Sequence, residues 1–303
     1  MAPAPTLLCF EDEWTLAQAL ADAAGMTLAC VDRHVFPDGE IKLRLPTPLP
    51  ARVVLLRSLH APNAKLVELL LTAQTARELG AQHLTLVAPY LAYMRQDVAF
   101  QPGEAVSQKI IGKHLAQLFD AVITIDPHLH RVSTLQEAVP AAQALALTAA
   151  PLLADFVHRQ CPDAVLIGPD EESAQWITSA AGQHHFDHGV CRKVRHGDRQ
   201  VEITLPDVAV KGRAVVLLDD IASSGHTLAQ AARLLLQAGA RSVDVAVTHA
   251  LFSGDALQVV REAGVDRIWS TDAVPHESNS VSLAPLLAEA LQTVYGPSGQ
   301  ARG

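Results

Sequence analysis

The sequence predicts an α/β fold of two similar domains, each a mostly parallel sheet flanked by helices. Three observations carry that prediction. Short apolar, β-branched runs alternate with helix-length amphipathic stretches, the spacing of βαβ units. One strand–loop–helix–strand pattern occurs twice. The 303 residues, 49% hydrophobic and 18% charged, suffice for two packed cores.

Strands are predicted at 52–57, 84–88, 121–125, 164–168, 214–218 and 243–248. Each is apolar at successive positions, as a strand covered on both faces must be. Helices are predicted at 64–79, 107–118, 171–181 and 227–238. The Ala-rich stretch 138–151 sets the expected boundary, giving domains 1–145 and 146–303.

The repeat pairs VVLLRSLHAPNAKLVELLLTAQTARELGAQHLTLVAPY, from Val53, with VVLLDDIASSGHTLAQAARLLLQAGARSVDVAVTHA, from Val215. Each is a strand, a loop, a helix ending at Gly-Ala and a second strand. Two copies of one unit are inferred. Ligands of such sheets bind at the carboxyl ends of the strands, so chemistry is sought there.

Net charge is −9, which disfavours a broad nucleic-acid surface. The start, MAPAPTLLCFEDEW, lacks the basic region of a signal peptide, and no apolar run reaches the roughly 18–20 residues of a membrane span. Cys9, Cys30, Cys161 and Cys191 form no CxxC pair and read as reduced thiols. A cytoplasmic enzyme with no membrane or nucleic-acid partner is expected.

The strongest local signal is VVLLDDIASSGHT, residues 215–227. An apolar strand runs into Asp219 and Asp220. Ser223, Ser224, Gly225, His226 and Thr227 then open a helix. Unpaired N–H groups at a helix start hold phosphate, hydroxyls add donors, and glycine lets the backbone approach. The aspartates would repel phosphate; they suit vicinal ribose hydroxyls or a metal already on substrate. A sugar phosphate fits both ends of the loop.

This loop resembles the ribose-5-phosphate loop of the type I phosphoribosyltransferase fold, with His226 where the family usually has a small residue. Beyond it, nine ordered segments resemble the ribose-phosphate diphosphokinase family, also called phosphoribosyl-pyrophosphate synthetase. They are FPDGEIKLRL from Phe36, the strand-loop from Val53, APYLAYMRQDVAFQPGEAVS from Ala88, ITIDPHLH from Ile123, IGPDEESAQW from Ile167, CRKVRHGDRQVEI from Cys191, the Asp219-Asp220 loop, THALFSGDA from Thr248 and SVSLAPLLAEAL from Ser280.

The resemblance implies two phosphoribosyltransferase-like domains, with ATP on the N-terminal one and the sugar loop and flap on the C-terminal one. It implies transfer of the β,γ-diphosphoryl group of ATP to the 1-hydroxyl of ribose 5-phosphate. It assigns Arg95, Gln96 and Asp97 to ATP, and sends Phe36, Asp38 and Glu40 across a dimer interface to adenine. It gives His128 and Asp170 to Mg²⁺; the preference of that ion for oxygen favours Asp170. His130 completes an HxH pair without a stronger reason to choose it.

Lys193 and Arg195 lie in a predicted hairpin turning at His196-Gly197-Asp198. One residue apart on a strand, they share a face. The resemblance makes them the catalytic cations of a closing flap. His184, His185 and His188 lack the pattern of a zinc site and read as a solvated loop. A homo-oligomer, dimer or hexamer, follows from the resemblance alone. Two other readings stay open: a phosphoribosyltransferase consuming the activated sugar, and a non-catalytic regulatory relative.

Overall fold

The computed structural model describes residues 4–129, 131–196 and 200–295, with backbone alone at 193–196 and 200–202. Gly197 and Asp198 of the predicted flap turn, His130 and the end of the chain from residue 296 lie outside the described residues.

The chain divides into two compact units, residues 1–147 with 282–303, and residues 148–281. The first unit runs β1 (Thr6–Cys9), α1 (Trp14–Ala24), β2 (Thr27–Cys30), β3 (Asp32–Val35), β4 (Ile41–Arg44), β5 (Arg52–Leu56), α2 (Pro62–Glu78), β6 (His83–Ala88), α3 (Ser107–Leu118), β7 (Ala121–Ile125), α4 (Leu135–Ala138) and β8 (Gln143–Leu147). The second runs α5 (Ala150–Gln160), β9 (Val165–Gly168), α6 (Ala174–His184), β10 (His188–Val190), β11 (Arg192–His196), β12 (Gln200–Thr204), β13 (Ala214–Ala222), α7 (His226–Gln237), β14 (Ser242–Ala250), α8 (Ala256–Glu262), β15 (Val265–Thr271) and β16 (Asn279–Val281). The last helix, α9 (Ala284–Tyr295), belongs to the first unit and packs on α1.

The two six-stranded sheets have one topology. Their orders are β2-β1-β5-β6-β7-β8 and β10-β9-β13-β14-β15-β16, and every neighbouring pair is parallel. Each unit adds an antiparallel pair after its second strand, β3-β4 and β11-β12. The repeat seen in the sequence thus extends over the whole order of both sheets.

Burial on both faces explains the apolar strands. Val215 and Leu217 of β13 pack with Leu228, Ala232 and Leu235 of α7. Their neighbours Val216 and Leu218 pack with Leu153 and Val157 of α5 and Ile177 of α6. In the first unit, Val53 and Leu55 of β5 join a core with Leu69 and Ala73 of α2 and Leu115 of α3. At about 25 cal/mol per Å², each of the valine, leucine and isoleucine side chains contributes roughly 1.5–3 kcal/mol.

One predicted element differs in a way that matters. The strand expected to end at residue 218 continues to Ala222, because β14 is equally long and pairs Asp219 with Val247, Ile221 with His249 and Ala222 with Ala250. The polar residues are carried inside the ladder.

Candidate active site

In each sheet the chain leaves the first strand toward opposite sides, to β2 and β5 in one and to β10 and β13 in the other. The carboxyl-end crevice at such a reversal is the expected ligand site. In the second unit it is carboxylate-rich. Asp170 follows β9, is buried, and accepts from the Glu172 N–H at 3.1 Å. Gly168, just before it, has no room for a side chain: a Cβ would stand 2.1 Å from the Ser173 hydroxyl. Asp220 is buried, and the Asp219 carboxylate accepts from the Asp220 N–H at 3.0 Å.

Burial, and then the neighbouring Asp220 and Asp170 carboxylates, push the Asp219 carboxyl well above its usual range. A cation or hydroxyl donors would relieve that crowding. Among the described residues no three His, Cys, Asp or Glu side chains form a metal cage. The carboxylate oxygens of Asp170, Asp219 and Asp220 are hard donors of the kind an oxygen-loving cation takes.

Beyond β13, Ser223 is half-buried and Ser224 exposed, and the Ser223 carbonyl accepts from Ser253 N–H at 3.0 Å. Gly225 precedes α7 with φ +74°, a left-handed conformation. A Cβ there would stand 2.8 Å from both the Ala256 carbonyl oxygen and Val260 Cγ2. His226 is the first residue of α7, one earlier than predicted, and its side chain is exposed; Thr227 is half-buried. The start of a helix leaves backbone N–H groups without intrahelical partners, an arrangement that can take an anion.

The predicted flap is the β11-β12 pair. Lys193 lies opposite Ile203, and Arg195 opposite Val201, both on β11. Their side chains lie outside the described residues.

In the first unit, Phe36, Asp38 and Glu40 form the exposed tip of β3-β4. The tip is closed by Phe36 N–H to the Glu40 carbonyl at 2.8 Å and Gly39 N–H to the Phe36 carbonyl at 2.9 Å. His34 packs edge-on against Phe36, ring centroids 4.7 Å apart. Arg95 is exposed, Gln96 half-buried and Asp97 buried, all between β6 and α3. Gln96 donates to the Val98 carbonyl at 3.0 Å. His128 is half-buried just past β7. Of the three histidines expected in a solvated loop, His185 is exposed in a turn, His188 is exposed but on β10, and His184 differs: it ends α6, stacks on His158 at 4.2 Å and pairs with Asp155 at 2.6 Å.

The same reversal in the first unit is filled by protein. Where the second copy has Asp219 and Asp220, the first has Arg57 and Ser58. Arg57 is fully buried, 4.4 Å over the Phe10 ring. It donates to Asp12 at 2.8 and 2.9 Å and to Glu68 at 2.7 Å, with Glu13 at 3.3 Å. Lys65 donates to the Ser58 carbonyl at 2.6 Å and stands 3.7 Å from Glu13. Burial lowers the Lys65 ammonium to about 8, and burial with nearby Lys65 and Arg57 lowers His60 to about 4.

The His60 shift sets a pH effect. Between about pH 4 and 6.5 the unfolded chain holds a proton there that the folded chain does not, so stability from this group falls as pH drops through that window. His60→Gln is expected to flatten the acid side of the melting-temperature profile over this range. An unchanged profile would assign the slope to other groups.

Comparison with known proteins agrees with this arrangement. Residues 6–118 match the family model for the N-terminal domain of ribose phosphate pyrophosphokinase, and residues 199–296 match the phosphoribosyl synthetase-associated domain. A ribose-phosphate pyrophosphokinase of Methanopyrus kandleri is 38% identical over 288 residues, 93% of this chain and 96% of that protein. The chain belongs to the ribose-phosphate pyrophosphokinase family. Within that family, a Halobacterium salinarum relative of the same name is 35% identical over 94% of this chain and its own full length. The crystal structure of phosphoribosylpyrophosphate synthetase from Mycobacterium smegmatis shares the fold, with a TM-score of 0.83 at 24% identity over 97% of this chain and 99% of that one.

As in a family of enzymes built on this fold, the chain is an α/β protein with two like sheets. No described helix is long and apolar enough to cross a membrane. Sequence reasoning missed two sets of residues. Asp12, Glu13 and Glu68 carry an ordinary surface signature, and Arg131, which pairs with Asp97, is a single cation in a polar loop.

Proposed function

We propose that this chain transfers the β,γ-diphosphoryl group of ATP to the 1-hydroxyl of ribose 5-phosphate, giving 5-phosphoribosyl 1-diphosphate and AMP. The observation that carries the reading is the second unit's strand-end crevice. It sets buried carboxylates beside a glycine-led helix start, as a ligand with hydroxyls at one end and a phosphate at the other requires. The names of full-length relatives at 35–38% identity supply the reaction.

Asp219 and Asp220 accept from the ribose hydroxyls. Ser223, Ser224, Gly225, His226 and Thr227 hold the 5-phosphate. Arg95, Gln96 and Asp97 belong to the ATP site, and Phe36, Asp38 and Glu40 reach the adenine of a neighbouring copy in a homo-oligomer. Asp170 of the second unit and His128 of the first are each proposed as a residue for Mg²⁺, which when bound neutralises phosphate charge. Lys193 and Arg195 share one face of β11 by alternation and close over the triphosphate, where they stabilise charge developing on the transferred group. The 1-hydroxyl oxygen bonds to the β-phosphorus, the bond from that phosphorus to the AMP oxygen breaks, and the hydroxyl proton is released. Placement and charge supply most of the catalysis in such a transfer. The site of action proposed is the cytoplasm.

The test mixes purified protein with ATP, Mg²⁺ and ribose 5-phosphate and follows AMP. AMP that forms only with the sugar phosphate present is the expected result. Silence there, with activity on the preformed activated sugar and a nucleobase, would replace this reading with that of a phosphoribosyltransferase.

A further inference from the structure

Asp97 is the least accessible residue of the segment proposed for ATP. Its side chain is 3% exposed, and its Oδ1 accepts from Arg131 Nη1 at 2.6 Å. Its Oδ2 is buried and meets no hydrogen-bond donor among the described residues. A carboxylate in this position cannot receive phosphate, since the two anions repel. Arg131 is the reverse. Its side chain is 55% exposed, and Asp97 is the one acceptor its guanidinium has among the described residues. Among the described residues its four other N–H donors meet no acceptor.

The fold brings the two together from neighbouring strands. Asp97 lies in the irregular stretch after β6, and Arg131 in the loop after β7. These strands pair in parallel register from Thr85 with Ala121 to Ala88 with Thr124, so both loops leave the same carboxyl edge. Each loop is fixed. Gln108 ties the first to α3 through its N–H to the Gln96 carbonyl at 3.2 Å and its side chain to the Met94 carbonyl at 3.2 Å. The second turns at Asp126, φ +38°, and is closed by the Thr134–Glu137 capping box at α4. A guanidinium pinned at one nitrogen, with its fork in water at a strand-end edge, is pre-organised to take a phosphate group by two parallel bonds.

We propose that Arg131 is a further phosphate-binding residue of the ATP site, and that Asp97 acts there by positioning Arg131 rather than by touching the nucleotide. The proposal rests on the ATP assignment made above for residues 95–97. A second consequence is that the two residues work as a unit. Loss of either should remove the same contact, and loss of both should cost no more than loss of Arg131.

ATP affinity is measured directly, by titration calorimetry on the full chain, and KM values come from the AMP assay. Arg131→Gln is expected to weaken ATP binding at least tenfold while the KM for ribose 5-phosphate stays within twofold. Asp97→Asn should weaken ATP in the same direction. The Asp97→Asn/Arg131→Gln pair should match the Arg131→Gln single. That double variant also removes the buried carboxylate together with its cation, so it decides the matter if the single variant does not fold. Arg131→Lys is expected to recover part of the loss, as a point charge without the fork. ATP affinity within twofold of wild type in the double variant, or an equal loss for the sugar phosphate, overturns the proposal. A wild-type protein that makes no AMP but loses ATP affinity in these variants would sink the reaction and leave the residue standing. One that makes AMP and binds ATP normally in the variants would do the opposite.

Discussion

Replacing Lys193 by alanine is expected to lower turnover about a thousandfold and to leave the melting temperature unchanged. Lys193 sits on β11, in a two-stranded pair that belongs to neither six-stranded sheet. Its cation is needed only when charge grows on the diphosphoryl oxygens, so kcat should fall while ATP affinity by calorimetry changes little. Arg195 lies two residues along the same strand and should behave alike, with a smaller effect from Arg195→Lys than from Arg195→Ala. Near-normal turnover in Lys193→Ala would take the flap out of the mechanism.

Gly225→Val should raise the KM for ribose 5-phosphate about a hundredfold. Two independent costs meet at this position. The backbone has φ +74°, which a β-branched residue adopts only under strain. A Cβ would also press on the Ala256 carbonyl oxygen and on Val260, both 2.8 Å away. The chain must shift, and the shift falls on the N–H groups at the start of α7. Displacing such groups by about 1 Å costs on the order of a hundredfold in rate or binding. Strain and overpacking should lower stability by about 2 kcal/mol as well. ATP affinity should hold, because the residues proposed for ATP lie in the other unit. Equal loss of ATP and sugar-phosphate binding in a folded variant would count against the loop as a sugar-phosphate site.

Much of the fold was legible in the sequence because a buried parallel strand writes itself as an unbroken apolar run. The strands at Val53, Leu84, Val122, Val215 and Val243 are of this kind. The edge strands were not legible. In β2 and β8 no residue is buried, the apolar part of β8 lies in an Ala-rich stretch that reads as a boundary, and β10 and β16 have three residues each. The attachment of α9 to the first unit is a contact between distant parts of the chain, and its amphipathic pattern does not say which sheet it covers. At the site, the Asp219–Thr227 segment stood out because acids, hydroxyls and glycine were contiguous. The link between Asp97 and Arg131 spans 34 positions, and only folding discloses it.

The first copy's plugged crevice limits how this chain can change. Asp12, Glu13 and Glu68 surround Arg57, and each acid has come to depend on that guanidinium. Returning position 57 to the aspartate of its twin would gather four carboxylates around a fully buried point with Lys65 and Arg33 as the remaining cations nearby. Stranding such groups costs about 3–5 kcal/mol, a large part of a domain's stability. No single replacement leads back to a ligand-binding state without crossing that valley. At this crevice the duplicated half works as a ratchet: the acids that hold Arg57 make its return to an aspartate costly, whatever the rest of that unit binds.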